Sequence, residues 1–334
     1  MKLIYRYRLF LAPFSLVYFL VTSIRNILYD IKVLKRFKVN ATVISVGNIT
    51  WGGTGKTPAV LFLIKYFSGQ NRKVAALIRG YGQDEPGLLS GSAPDVPVII
   101  GKDRVKTACE AVKKCSADII LLDDGFQHRR LKRDLDIVCI DATNPFGNGF
   151  LIPAGSLREG LRGLKRADVF LITKTDLIKD QKSIQDLESK LRCINPDALI
   201  ARSIHEFQDF YRLSDEQLVD VNFLKNKVKE TVIFSGIGNP VSFESTVLNL
   251  GLMVKKHFIF RDHHCYTCED LRRINDYCLK NKIGTVITTE KDAVRLQASS
   301  IKHLVSNVLV LRIQLKVTEN EQGFYNRLSG ICSG

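Results

Sequence analysis

The sequence predicts an α/β protein with a mainly parallel sheet, a second, smaller α/β domain and an N-terminal membrane-associated helix. Three observations predict it. From residue 41 onward, short apolar runs alternate with helical stretches, the pattern of strands buried under helices on both faces. A glycine-rich segment lies between the first apolar run and the first helical stretch. The first 40 residues combine an apolar run with a dense positive charge.

Composition sets the frame. The 334 residues allow two domains. With 45% hydrophobic residues, 25% charged residues and nine prolines, the chain is not disordered, collagen-like or a small disulfide scaffold. Its net charge of +15 points to phosphate, in nucleic acid, in lipid headgroups or in a small substrate. Residues 1–40 carry eight basic side chains against Asp30 alone, a net +7. They also contain the uncharged run 9–24, which falls short of the ~20 residues of a spanning helix. No small-x-small cleavage site precedes Arg25, which speaks against a signal peptide. The segment therefore reads as a helix in, or dipping into, the cytoplasmic leaflet, where anionic lipids attract each Lys or Arg by ~1 kcal/mol. An ordinary core helix with basic flanks is the alternative.

The elements follow in order. Segments 41–46, 74–78, 98–100, 118–122, 137–140 and 169–172 read as buried strands, with helices over 57–67, 104–114 and 184–191. A second set has strands at 231–234, 254–260, 285–288 and 308–311, and helices at 241–250, 268–280 and 291–297. The join lies within 200–230. The expected organisation is an anchor over 1–40, a core domain over 41–205 and a smaller domain over 206–334. Ligands of open α/β sheets sit at the carboxyl ends of strands, and the glycine- and carboxylate-rich segments fall there.

The strongest local signal is Val46-Gly-Asn-Ile-Thr-Trp-Gly-Gly-Thr-Gly-Lys-Thr-Pro58. Glycines let successive N–H groups turn around phosphate oxygens, and the helix that follows adds its positive end. The candidate nucleotide-binding residues are Asn48, Thr50, Gly52, Gly53, Thr54, Gly55, Lys56 and Thr57. Lys56 would reach the β- and γ-phosphates, and the Thr57 hydroxyl would ligate Mg²⁺. Thr50 replaces the first glycine of the strict phosphate-loop pattern. The run Ile119-Ile-Leu-Leu-Asp-Asp124 supplies an apolar strand ending in acids, which suits Mg²⁺ beside that loop. The core domain is thus expected to be P-loop NTPase-like, using a nucleoside triphosphate with Mg²⁺. Thr173-Lys174-Thr175-Asp176 is similar to the guanine-reading Asn-Lys-x-Asp motif, and is also a helix start capped by Thr175 or Asp176, the preferred reading. Membrane-associated switch ATPases or GTPases are therefore a rival class, although Trp51 stands where partitioning ATPases carry a signature lysine.

Further segments carry a resemblance: Arg79-Gly-Tyr-Gly82, Asp84-Glu-Pro86, Asp123-Asp-Gly-Phe-Gln-His128, Asn148-Gly-Phe-Leu-Ile-Pro-Ala-Gly-Ser-Leu-Arg-Glu159, Asp262-His263 and Thr288-Thr-Glu-Lys-Asp292. With the phosphate loop, in this order, they resemble the tetraacyldisaccharide 4′-kinases. That resemblance implies a membrane-bound enzyme of two α/β domains with the site between them. It further implies an ATP- and Mg²⁺-dependent transfer of phosphate to the 4′-hydroxyl of a lipid disaccharide 1-phosphate in lipid A synthesis. The location implied is the cytoplasmic face of the inner membrane of a Gram-negative bacterium. Asp84 is then the base, His263 its partner, and Lys56 the phosphate-binding cation. Glu85, Asp123, Asp124 and Glu159 would hold Mg²⁺ with Thr57, directly or through water. Read without the family, Asp84-Glu-Pro is a turn, Asp262 a helix cap and Arg158-Glu159 a surface pair.

The basic clusters 128–133 and 158–166 suit either the acceptor's phosphate or lipid headgroups, or are solvated faces. Nucleic acid is not an expected partner, since no recognition motif or aromatic platform accompanies the charge. No obligate protein partner is evident. Cys265-x-x-Cys268 beside two histidines is too few ligands for an expected zinc site, and the cysteines are expected to be reduced thiols.

Overall fold

A computed structural model describes residues 2–80, 84–228, 230–296 and 307–331, with the side chains of 2–10, 84, 85, 223 and 227 outside that description. The chain forms two compact units, and neither is one continuous stretch. The first comprises Met1–Gly80, Ala93–Ile204 and Leu315–Gly334; the second comprises Tyr81–Ser92 and His205–Gln314. The passage at 204–205 lies beside the expected boundary, but two pieces fall on the other side of it. The Asp84-Glu-Pro segment belongs to the second unit, and the chain's last residues return to the first. The return is made by a long strand, which local sequence patterns cannot reveal.

The first unit opens with helix α1 (Lys2–Asp30). It continues through β1 (Thr42–Gly47), α2 (Lys56–Ser68) and β2 (Val74–Ile78). Helix α3 (Asp84–Ser92) follows in the chain but belongs to the second unit. Then come β3 (Val98–Ile100), α4 (Arg104–Cys115), β4 (Ile119–Asp123), β5 (Leu135–Asp141), β6 (Val169–Thr173), α5 (Gln181–Ile194) and the start of β7 (Leu199–Arg212). The sheet order is β7-β6-β5-β1-β4-β2-β3, and every pairing is parallel. Strands β2, β4, β5 and β6 are buried at every position, which is why they read as unbroken apolar runs rather than alternating ones. The register pairs Val46 with Asp123, Gly47 with Val138 and Asp141 with Thr173. The carboxyl ends of β1, β4, β5 and β6 therefore lie side by side.

In the second unit, β8 (Leu218–Val219) pairs antiparallel with β7, and α6 (Val221–Lys227) leads into β9 (Thr231–Ser235). Helix α7 (Pro240–Asn249), β10 (Val254–Ile259), α8 (Cys268–Lys280), β11 (Thr285–Thr289), α9 (Glu290–Arg295) and β12 (Asn307–Glu319) follow. The order β10-β9-β11-β12 is again parallel. The end of β12 returns to the first unit and feeds α10 (Glu321–Gly330). There Tyr325 stacks on Tyr66 of α2 at 5.2 Å between ring centres.

Helix α1 has two faces. Phe14, Leu16, Val17, Leu20, Val21, Ile24 and Ile27 are exposed, and the stretch Leu11–Asp30 is long and apolar enough to cross a membrane by length and composition. The other face is clamped to the first unit by hydrogen bonds. The Ser15 hydroxyl donates to Leu151 O (2.9 Å) and accepts from Ala154 N–H (3.0 Å). The Tyr18 hydroxyl donates to Arg158 O (2.8 Å), and the buried Arg129 donates to Asn26 O (2.8 Å). An ordinary core helix would hide its apolar face; this one exposes it and docks through polar atoms.

Candidate active site

The glycine-rich loop leaves β1 at Gly47 and enters α2 at Lys56. Gly55 caps that helix with φ +84°, a left-handed conformation that costs glycine nothing. The loop is held from within and from both sides. The Asn48 side-chain amide donates to the Thr54 hydroxyl (3.0 Å). Trp51 N–H donates to Ser156 O (2.6 Å) and Arg158 N–H to Ile49 O (2.8 Å). From the end of β6, the Thr173 hydroxyl donates to Thr54 O (3.0 Å) and the Lys174 ammonium to Gly53 O (2.7 Å). Lys174 also pairs with the buried Asp141 at 2.5 Å. Thr57 is buried in the first turn of α2. Thr50 is buried and its backbone bridges Leu157, so it serves as loop scaffold.

The paired acids end β4 as expected. Asp123 is buried, and the buried Arg104 donates to its carbonyl (3.0 Å). Asp124 takes a left-handed φ of +55°, uncommon for a residue with a Cβ. Its carboxylate lies 2.5 Å from the Arg158 guanidinium and 3.6 Å from the Lys56 ammonium. Burial alone would raise its pKa, but Lys56 and Arg158 outweigh burial and hold it at about 2. Asp124 is thus ionised throughout the physiological range. The Thr57 hydroxyl and the Asp123 and Asp124 carboxylates offer oxygen donors, the kind that Mg²⁺ takes.

Glu159 departs from the expected metal role. It is 1% exposed, and its carboxylate is filled by donors. Arg166 reaches both oxygens at 2.9 Å, Gln127 donates to Oε1 at 3.1 Å and Asn26 of α1 to Oε2 at 2.9 Å. Gln127 also donates to Asn48 O (2.8 Å), so Glu159 ties α1 to the root of the phosphate loop. A carboxylate so satisfied is a bracket rather than an open metal position. Arg158 likewise is a site residue, not half of a surface pair with its neighbour.

The basic cluster 128–133 is largely absorbed into structure. Arg129 pairs with Asp30, Arg130 with Asp103 and Arg133 with Asp136. Burial and the Arg104 charge push His128 down to about 4, so it is neutral at pH 7. In the second cluster Arg162 and Lys165 are exposed.

The remaining predicted residues lie in the second unit. Asp84 and Glu85 open α3, and their side chains lie outside the described residues. His263 follows β10 in a turn, with φ +58°, a side chain 45% exposed and its Nε2 3.9 Å from Asp262. Asp262 caps no helix; α8 is capped by Thr267, which forms a reciprocal box with Asp270. The adjacent His264 bonds to Asp270 (2.9 Å) and stacks on Phe260, a packing role. Cys265 and Cys268 are exposed.

Lys174, Asp141 and Arg104 were not expected in the site. The only sequence signal was Thr173-Lys174-Thr175-Asp176. A short 3-10 helix, Thr175–Leu177, does begin there, but Lys174 occupies its cap position without a side-chain cap, and its ammonium turns to the phosphate loop instead.

Comparison with known proteins gives the family. A family model described as tetraacyldisaccharide-1-phosphate 4′-kinase matches residues 7–84 and 83–332. The tetraacyldisaccharide 4′-kinase of Elusimicrobium minutum (strain Pei191) is 38% identical, over 93% of this chain and 88% of that protein. That of Halothermothrix orenii (strain H 168) is 37% identical, over 90% and 87%. The crystal structure of the "apo" form of LpxK from Aquifex aeolicus in complex with ATP superposes with a TM-score of 0.73 at 30% identity, covering 97% of this chain and 99% of that one. The match runs along the phosphate loop, the paired acids, the α1 segment and both units alike, and the chain belongs to the tetraacyldisaccharide-1-phosphate 4′-kinase family.

Proposed function

We propose that this kinase transfers the γ-phosphoryl group of ATP to the 4′-hydroxyl of a tetraacyldisaccharide 1-phosphate, at the cytoplasmic face of the inner membrane. The observation that carries the reading is the union, in one unit, of a gripped phosphate loop with an apolar helix docked on it through polar clamps. Phosphoryl transfer needs charge neutralisation and an oriented nucleophile. Lys56 and the loop amides hold the phosphates, and Arg158 holds Asp124 in place. Thr57, Asp123 and Asp124, with Glu85, would hold Mg²⁺, which when bound neutralises charge on the transferring phosphate. Asp84 accepts the proton of the sugar hydroxyl, and His263 orients Asp84 or shares that proton.

The deciding assay incubates the protein with γ-labelled ATP, Mg²⁺ and the lipid disaccharide in detergent. Label in the lipid supports the proposal. Label released only as free phosphate would instead favour the membrane-associated switch ATPase or GTPase.

Two further outcomes are expected. The chain's single tryptophan, Trp51, lies 71% exposed in the phosphate loop. Its emission should change on titration with ATP, giving a direct binding signal; a flat titration of an enzyme shown by dialysis to bind ATP would place the nucleotide elsewhere. The exposed face of α1 should carry membrane attachment. Val17→Asp with Leu20→Asp, which leaves Ser15, Tyr18 and Asn26 untouched, should move most of the protein from membrane to soluble fraction. Unchanged membrane recovery would put the anchor elsewhere.

A further inference from the structure

The motif Thr288-Thr-Glu-Lys-Asp292 ends β11 and opens α9, and the kinase reading gives it no task. We propose that α9 braces both members of the Asp84–His263 pair, with Asp292 and Val294 as positioning residues. The inference rests on the roles proposed above for Asp84 and His263.

The first contact runs to His263. Asp292 is fully buried. Its Oδ1 accepts from Gly236 N–H (2.9 Å) and from the Tyr266 hydroxyl (2.8 Å), and its Oδ2 accepts from the Thr289 hydroxyl (2.6 Å). One turn on, Arg295 donates to Asp292 (3.2 Å) and to Gly236 O (2.7 Å). The same Gly236 carbonyl accepts His263 N–H (3.0 Å). The peptides on either side of Gly236 are therefore gripped by α9, and the turn carrying His263 hangs from the carbonyl. That turn holds His263 at φ +58°, a conformation that persists only where the surroundings impose it. Burial and the neighbouring Asp292 push the Tyr266 phenol far up, so it remains an O–H donor.

The second contact runs to Asp84. A Cβ on Gly87 would lie 2.5 Å from Val294 Cγ1, so the backbone of α3 rests directly on α9 three residues beyond Asp84. A helix of six residues, Glu290–Arg295, thus touches the backbone at Gly236, from which the His263 turn hangs, and at Gly87 in the helix that Asp84 opens. A buried acid with this many directed partners fixes geometry in a way that an apolar residue could not.

The test compares kcat, KM for ATP and thermal unfolding across five variants. His263→Ala should lower kcat at least tenfold. Asp292→Asn, nearly the same shape, should lower kcat about tenfold with KM for ATP unchanged, and should add little in the His263→Ala background. Gly87→Ala should lower kcat severalfold, and Gly87→Ala with Val294→Ala should recover most of it by restoring the space. Should Asp292→Asn fail to fold, the Gly87 pair carries the test alone. Normal kcat in folded Asp292→Asn and in Gly87→Ala overturns the brace, as does a full, additive loss from Asp292→Asn without His263. Normal kcat in His263→Ala alone overturns instead the role of that histidine, and leaves the Gly87 rescue to decide whether α9 positions Asp84.

Discussion

Asp84→Asn is expected to lower kcat about a thousandfold while ATP affinity stays within about twofold. Asparagine keeps the size and polarity of the side chain but cannot accept a proton. A positioned general base contributes roughly 10²–10⁴ in rate, and the loss should fall on kcat because the base acts on the sugar hydroxyl rather than on nucleotide binding. In the proposed mechanism ATP is held by other residues: Lys56, Thr57 and the loop fixed by Asn48 and Lys174 all belong to the first unit, whereas α3 belongs to the second. Trp51 emission gives the ATP affinity, and label transfer to lipid gives turnover. The pH profile adds a second reading. Asp124 sits at about 2, and folding lowers its pKa. Its charge therefore stabilises the fold above the ordinary carboxylate range, and this contribution fades only as pH falls toward 2. Any activity limb between pH 5 and 8 thus cannot come from Asp124. Turnover of Asp84→Asn within fivefold of the parent enzyme would remove Asp84 as the base.

Much of this site was legible in the sequence because its chemistry is local. A phosphate loop needs its glycines, lysine and threonine within a few residues of one another, so Gly52 to Thr57 announce themselves. The acids at the end of β4 follow an apolar run, and the run marks the strand. The parallel sheet was legible for the same reason: buried strands are continuous apolar segments. What the sequence could not show is convergence from far along the chain. Glu159 carries a charge in a motif, and only the fold reveals that Asn26, 133 residues away, Gln127 and Arg166 fill its carboxylate. Charge in sequence suggests a ligand; saturation in space makes it a bracket. The unit boundary was hidden similarly, since α3 and the end of β12 each join the unit that their neighbours in the chain do not. His263 was chosen over His264 through family resemblance. In the fold His264 is engaged by Asp270 and Phe260, and His263 holds a left-handed turn.

Lys174→Met is expected to cost both stability and nucleotide affinity, unlike the loss at Asp84. The Lys174 ammonium is buried with the Asp141 carboxylate at the ends of β6 and β5. Removing one member of such a pair leaves a charge in a poorly solvated place and costs about 3–5 kcal/mol. In a unit of this size that lowers the unfolding temperature by roughly 10 °C. The substitution also frees Gly53 O from its donor, so the phosphate loop loses a fixed point and ATP should bind at least tenfold more weakly. Asp141→Asn should be milder for the loop, because Lys174 can still reach Gly53, yet should still lower stability. Combining Lys174→Met with Asp141→Asn removes both charges, so the double variant should be more stable than the sum of the single losses requires, a coupling of roughly 1–3 kcal/mol. ATP affinity should not recover with it, since the donor to Gly53 is still missing. Recovery of stability without recovery of affinity separates the two tasks of Lys174: neutralising Asp141 and holding the loop. Additive losses in stability would remove the first task, and normal ATP binding in folded Lys174→Met the second.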